Sequence, residues 1–249
     1  MESITENVAR IGNFTSSEIA KLMTNGRGAS GLGAPALTYI QKKNIERRMG
    51  VSLKQEVYSR PMAWGELMEL WVHEKELGLA YESVGKKTLV HPEFNYWAGS
   101  PDFVCTSKLL IAECKGYERE NFATYADAIM SGSTELMKSE CPDEYWQMIS
   151  NACIFGVDKV QPILFMPYKS QLLEIRIFAD ELNVGNPTKY RWIFESEDCQ
   201  LPYLIDGGYY KNFVTDIFDV PQADKDLLTE RVKLAGTMLN EFHKITEQK

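Results

Sequence analysis

Long hydrophobic runs are missing from this sequence. No stretch approaches the roughly 20 consecutive apolar residues a membrane-spanning helix requires. The segment Met1–Arg10 is polar and lacks the apolar stretch of a secretory signal. A cytosolic protein with no membrane partner is expected. Histidine is scarce: His73, His91 and His243 stand far apart without metal-ligand spacing, and none is assigned to catalysis. His91 alone lies near an expected sheet. The five cysteines are odd in number and no pair has CxxC spacing, which argues against a disulfide framework and against a zinc or iron–sulfur site. Reduced, packed thiols are expected. Basic excess is also missing. The formal net charge of −8 argues against a general nucleic-acid coating protein. It leaves room for an enzyme whose carboxylates add negative charge and whose basic residues gather in one channel. There is no internal repeat, low-complexity run or linker, so one domain over residues 1–249 is expected.

What is present is an ordinary globular composition, 44% hydrophobic and 25% charged. Thr15-Ser16-Ser17 followed by Glu18 reads as a helix start, Asn25-Gly26 ends that helix, and a Gly-rich loop runs to Pro35. Longer helices are expected over 36–49 and 61–79, the second from Trp64, Leu67, Met68, Trp71 and Val72 at helical spacing. Short strands follow at 87–91, 96–100, 102–106 and 109–114. A helix is expected over 143–155, strands over 160–167 and 171–178, and a last helix over 221–247. This order fits an α/β fold with a small mixed central sheet flanked by helices. N-terminal helices would occupy 1–80, a catalytic core about 60–180, and a helical extension about 220–249.

The segment Gly99-Ser100-Pro101-Asp102, a hairpin, and Ile111-Ala112-Glu113-Cys114-Lys115 carries the chemistry. Side chains alternate along a strand, so Glu113 and Lys115 share a face and Cys114 takes the other. Pairing of the two strands would bring Asp102 beside Glu113. Two carboxylates offering only oxygen suit a hard cation such as Mg²⁺ or Mn²⁺. Such an ion polarises a phosphoryl group and acidifies an attacking water. A neighbouring ammonium orients that water or stabilises transition-state charge. Phosphodiester hydrolysis needs these residue types.

The pattern resembles the PD-(D/E)XK nuclease superfamily, with Pro101-Asp102 and Glu113-Cys114-Lys115 as its two halves. Further elements are similar to the bacteriophage lambda exonuclease and YqaJ-like viral recombinase family. Trp64-Gly65-Glu66-Leu67-Met68-Glu69 looks like that family's Gly-x-x-x-Glu helix, whose glutamate helps bind metal. This role maps to Glu69, with Glu66 as the rival. Tyr145-Trp146-Gln147 looks like the helix whose glutamine lines the site, which maps to Gln147. The run Arg10 to Glu18 is similar to an Arg-x-Gly-x-x-x-x-Ser-Glu element whose arginine and serine contact a terminal 5′ phosphate. Arg10 and Ser17 match it, and Ser100 matches a serine just before the Pro-Asp. These elements occupy residues 10 to about 167, and no motif is matched beyond about 178.

The resemblance implies a PD-(D/E)XK restriction-endonuclease-like core. It also implies a metal-dependent exodeoxyribonuclease that degrades linear double-stranded DNA 5′→3′ and leaves 3′ single-stranded tails for phage-type recombination. Asp102, Glu113 and Glu69 would bind Mg²⁺ or Mn²⁺, Lys115 and Gln147 would complete the catalytic set, and Arg10, Ser17 and Ser100 would bind substrate. It further implies a ring-shaped homotrimer around DNA, a single-strand annealing protein as partner, and a bacterial or phage-infected host cytoplasm. Alternatives are an endonuclease or RecB-type nuclease module, and a non-catalytic DNA-binding protein of the same fold. Lys42, Lys43, Arg47 and Arg48 form a basic cluster on an expected exposed helix side. It is either a solvated face or a contact for DNA phosphates. Trp146 reads as a core residue.

Overall fold

The computed structural model describes residues 8–54, 59–84, 87–117, 119–183 and 189–247, with side chains between 9 and 239. Phe242 and His243 therefore lie outside the described side chains. In chain order the elements are β1 (Phe14–Thr15), a 3₁₀ helix (Ser16–Met23), α1 (Ala34–Met49), α2 (Arg60–Trp71), β2 (Glu82–Ser83), β3 (Leu89–Val90), β4 (Trp97–Gly99), β5 (Phe103–Cys105), β6 (Leu110–Lys115), α3 (Arg119–Met130), α4 (Thr134–Glu140), α5 (Pro142–Phe155), β7 (Lys159–Phe165), α6 (Leu172–Leu182), α7 (Arg191–Glu195), β8 (Phe213–Thr215), β9 (Phe218–Asp219) and α8 (Gln222–Glu247).

The central sheet runs β2-β5-β6-β7-β8, and β9 also pairs with β7. Its heart is the parallel pair β6·β7, joined through α3–α5, as a parallel connection requires. β5 and β6 form the expected hairpin, with Phe103 opposite Ala112. A second sheet, β1-β4-β3, ties the N-terminal segment to the strand that leads into Pro101-Asp102. This is the expected mixed sheet flanked by helices. The alternation of β6 divides the core: Ile111 joins α1, α3, α5 and α8 on one face, while Leu110, Ala112 and Cys114 join α2, α6 and α7 on the other.

Local sequence sets the helix ends. Ser59 caps α2 by accepting from Met62 N at 3.4 Å, and Pro61 occupies its first turn. Gly50 and Gly156 close α1 and α5 in the left-handed conformation. The helix expected over 61–79 stops earlier, at Trp71, and continues as one π turn to Glu76. The start at Thr15 is a 3₁₀ helix with no side-chain cap from Thr15.

Segment 171–178, expected as a strand, is the helix α6. Leu172, Ile175, Phe178 and Ala179 are buried while Leu173 and Ile177 are exposed, a spacing of three to four rather than two. Phe178 meets Trp71 edge-on at 5.4 Å. Helices α3, α4 and α7 were not foreseen. No helix among the described residues is long and apolar enough to cross a membrane.

The basic cluster is also corrected. Lys43 is buried and pairs with buried Glu46 at 2.9 Å. Arg47 donates to Gly12 O at 2.7 Å and Asn13 Oδ1 at 3.2 Å. Only Lys42 and Arg48 are exposed. Gly12, at φ 67°, is required here, because a Cβ would stand 2.3 Å from Arg47 Cγ.

Candidate active site

The site forms where β6 ends. Pro101-Asp102 leads into β5, and Asp102 Oδ2 accepts the N–H of Cys114 at 2.7 Å. That bond pins the acid to the strand between Glu113 and Lys115. Glu113 is 1% exposed and faces α5. Two amides one turn apart on α5 hold it: Gln147 Nε2 donates to Oε2 at 2.6 Å, and Asn151 Nδ2 donates to Oε1. Lys115, on the same face, stands 3.8 Å from Glu113 and donates to Gln147 Oε1 at 3.2 Å. Gln147 therefore bridges the acid and the ammonium.

Glu69 approaches from α2. A close backbone packing makes room for it: a Cβ on Gly116 would meet Met68 at 3.0 Å and Gly65 Cα at 3.5 Å. Burial, together with the charges of Asp102 and Glu66, pushes the Glu69 carboxyl up to about 8. Burial and the charge of Asp102 likewise push Glu113 up to about 8, against the pull of Lys115 and Asn151. Asp102 is also raised by burial, opposed by Lys115, the Cys114 N–H and Arg10. Lys115 behaves the other way. Burial favours its neutral form, but Glu113, Asp102 and Glu144 outweigh burial and hold it as an ammonium above its ordinary range.

Burial raises all three carboxyls, and the charge of Asp102 raises Glu69 and Glu113 further, an environment a cation would relieve; all their donor atoms are oxygens. Among the described residues no three His, Cys, Asp or Glu side chains converge into a ready metal cage. Mg²⁺ does not need one, since it is usually held by one or two carboxylates with water and phosphate completing its shell. Asp102 and Glu113 fit that description.

Of the remaining expected residues, Arg10 is exposed and donates from Nε to Thr88 Oγ1 at 3.1 Å. Ser100 Oγ donates to Lys87 O at 3.0 Å. The segment 87–88 thus brings Arg10 and Ser100 together, and Arg10 is near enough to act on the charge of Asp102. Ser17 is exposed on the first turn of the 3₁₀ helix, while its neighbour Ser16 is buried against Ser150 at 2.8 Å. Glu66, the rival acid, is ion-paired with Lys189 at 2.7 Å. His91 stacks on Trp97 at 4.8 Å and is a packing residue. Trp146 is buried as expected.

Sequence reasoning missed two features. Asn151 stands one turn beyond Gln147 on a helix that was foreseen, so helical spacing alone could have found it. Tyr117 donates to Glu144, whose charge acts on Lys115; no sequence signal joined those positions.

No protein-family model matches the chain, and no curated protein matches it in sequence. Solved structures do match. The alkaline exonuclease LHK-Exo from Laribacter hongkongensis superposes with a TM-score of 0.61 at 14% identity, over 97% of this chain and 95% of that one. The same exonuclease in complex with dAMP gives 0.61 at 13% identity, with the same coverage. A phage-related exonuclease from Haemophilus somnus 129PT gives 0.60 at 16% identity, over 95% and 96% of the two chains. Over nearly its whole length, this chain has the fold of alkaline and phage-related exonucleases, in line with the resemblance its motifs carry.

Proposed function

We propose that the chain, acting as one nuclease unit over 1–249, is a divalent-metal-dependent exodeoxyribonuclease that removes nucleotides from the ends of linear double-stranded DNA. The observation that carries this reading is the gathering of Asp102, Glu113 and Lys115 at one end of β6 in a chain with an exonuclease fold. Asp102 and Glu113 hold Mg²⁺ or Mn²⁺, and Glu69 assists from α2. A bound divalent ion supplies positive charge to the phosphoryl oxygens and acidifies an attacking water. Lys115, kept protonated by its acidic neighbours, orients that water or stabilises charge developing on the phosphate. Gln147 sets the spacing of Glu113 and Lys115.

Arg10, Ser17 and Ser100 hold the terminal 5′ phosphate, so cleavage runs 5′→3′ and leaves 3′ tails for recombination. The proximity of Arg10 to Asp102 supports that assignment. The same reading carries a homotrimer that encloses the duplex, a single-strand annealing protein as partner, and a cytoplasmic setting. Enclosure gives processivity without tight contacts and tolerates a net charge of −8.

The test uses linear duplex labelled at the 5′ or 3′ end, with and without a 5′ phosphate, beside a circular duplex, in Mg²⁺. Release from the 5′ end of phosphorylated linear DNA, with the circle intact, is expected. Glu113→Ala and Lys115→Ala should each lose about 100-fold or more. Full activity in excess chelator overturns the reading, and cutting of the circle turns it toward an endonuclease.

A further inference from the structure

Asn151 carries no role in the function proposed above, yet its surroundings are unusual for a packing residue. It is 0% exposed. Its amide orientation is forced, because a flipped side chain would set Oδ1 against a carboxylate oxygen of Glu113. With Nδ2 given to Glu113, Oδ1 has no hydrogen-bond partner. That oxygen lies against Gly99, where a Cβ would be only 2.1 Å away. A leucine would fill the same space without leaving a buried acceptor unpaired, so packing does not explain an asparagine here.

Glu113 clarifies what the amide does. The terminal torsion of a glutamate is broad and soft. Gln147 holds one oxygen and leaves the carboxylate free to turn about that contact. The second amide removes this freedom. Without it, the carboxylate can swing toward Lys115, 3.8 Å away, and neutralise itself there. Gly99 belongs to the strand that leads directly into Ser100-Pro101-Asp102, so Asn151 touches both limbs of the site at once.

We propose that Asn151, seated against Gly99 of β4, is a positioning residue that fixes the Glu113 carboxylate against α5 and thereby sets the affinity of the site for a divalent cation. The affinity part rests on the metal-binding reading above; the positioning part does not. Groups that orient metal ligands typically change affinity 10- to 100-fold when removed, on the order seen for outer-shell partners in general.

The experiment compares the intact wild-type chain with Asn151→Leu, Asn151→Asp and Ser150→Ala. Ser150 is a neighbour on α5 that bonds Ser16 and Trp97 instead of Glu113. Mn²⁺ affinity is read by calorimetry, and the ¹³C carboxyl resonance of Glu113 is read in metal-free protein. Asn151→Leu should fold, bind Mn²⁺ about 10-fold or more weakly, and displace the Glu113 resonance. Ser150→Ala should lose thermal stability and keep both readouts. Should Asn151→Leu fail to fold, the isosteric Asn151→Asp decides by the same two measurements. A folded variant with wild-type Mn²⁺ affinity and an unmoved Glu113 resonance overturns the proposal. A wild-type protein that binds no Mn²⁺ removes the metal reading and the affinity part with it, and the Glu113 resonance still decides the positioning part.

Discussion

Asp102 is bonded to the backbone of Cys114: its Oδ2 receives the Cys114 N–H at 2.7 Å. The acid is thus fastened to the residue that separates Glu113 from Lys115, and the two halves of the motif are joined through one hydrogen bond. Asp102→Asn keeps an acceptor oxygen but removes the charge. It should lose nuclease activity by about 100-fold or more while melting at or above the wild-type temperature, since a buried carboxyl with a raised pKa resists ionisation. Asp102→Ala should lose activity and also destabilise, by about 1–3 kcal/mol for the stranded N–H. Equal melting temperatures for the two variants would count against the bond.

The carboxyls make a pH prediction for metal-free protein. Glu69 and Glu113 are raised from the ordinary 4.5 to about 8 in the fold. A raised acid pKa means that the folded chain holds the proton more tightly than the unfolded one. The stabilisation is complete below the unfolded pKa and is lost as pH rises through the folded value. In chelator, the melting temperature should therefore fall between pH 6 and pH 8.5 on this account. Mg²⁺ or Mn²⁺ should raise it most at the alkaline end. Thermal scans across that range check both, and a flat profile in chelator contradicts the burial argument.

Two glycines at the α2–β6 contact should respond in opposite directions. At Gly116, a Cβ would press on Met68 at 3.0 Å, and Gly116→Ala should cost about 1–3 kcal/mol and loosen Glu69. A Cβ on Gly65 meets nothing within 4 Å, and Gly65→Ala should stabilise α2 by up to about 1 kcal/mol. Urea unfolding of the pair measures the difference, and equal shifts would refute the close approach.

Glu46 is the centre of a buried ionic knot. It pairs with Lys43 and accepts from Gly12 N at 3.0 Å and Leu53 N at 3.1 Å. Glu46→Ala strands the Lys43 charge, for a loss of about 3–5 kcal/mol. Lys42→Ala and Arg48→Ala, both at exposed positions, should leave the unfolding free energy within about 0.5 kcal/mol of wild type. If Glu46→Ala melts like wild type, the knot is not structural.

Gly99→Ala would place a methyl 2.1 Å from Asn151 Oδ1 and 2.3 Å from Ser16 Oγ. Both atoms are buried and neither can simply rotate away. The expected result is a loss of about 1–3 kcal/mol or more, with weakened activity, read by chemical denaturation and nuclease assay. Unchanged stability would show that α5 and β4 are more loosely apposed.

Much of this could be read from one dimension because it depends on local periods. Strand alternation put Glu113 and Lys115 on one face and Cys114 on the other, and the short hairpin carried Asp102 to the same place. The helix carrying Gln147 was expected over 143–155, and α5 spans Pro142–Phe155. Other features depended on which neighbours arrive from far along the chain. The run 171–178 has apolar residues compatible with either period, and packing of Phe178 on Trp71 decided for helix. Lys43 and Arg47 sit among exposed charges in the sequence, yet Glu46 and the Gly12-Asn13 turn draw them inward. The hold of Asn151 on Glu113, the nearness of Arg10 to Asp102 and the raised carboxyls exist only once α5, β4 and β6 are in contact. Residue types and short-range spacing determined which chemistry this chain can attempt. Burial and long-range contact decided which side chains share the low-dielectric space in which that chemistry is strong, because local periodicity records neither.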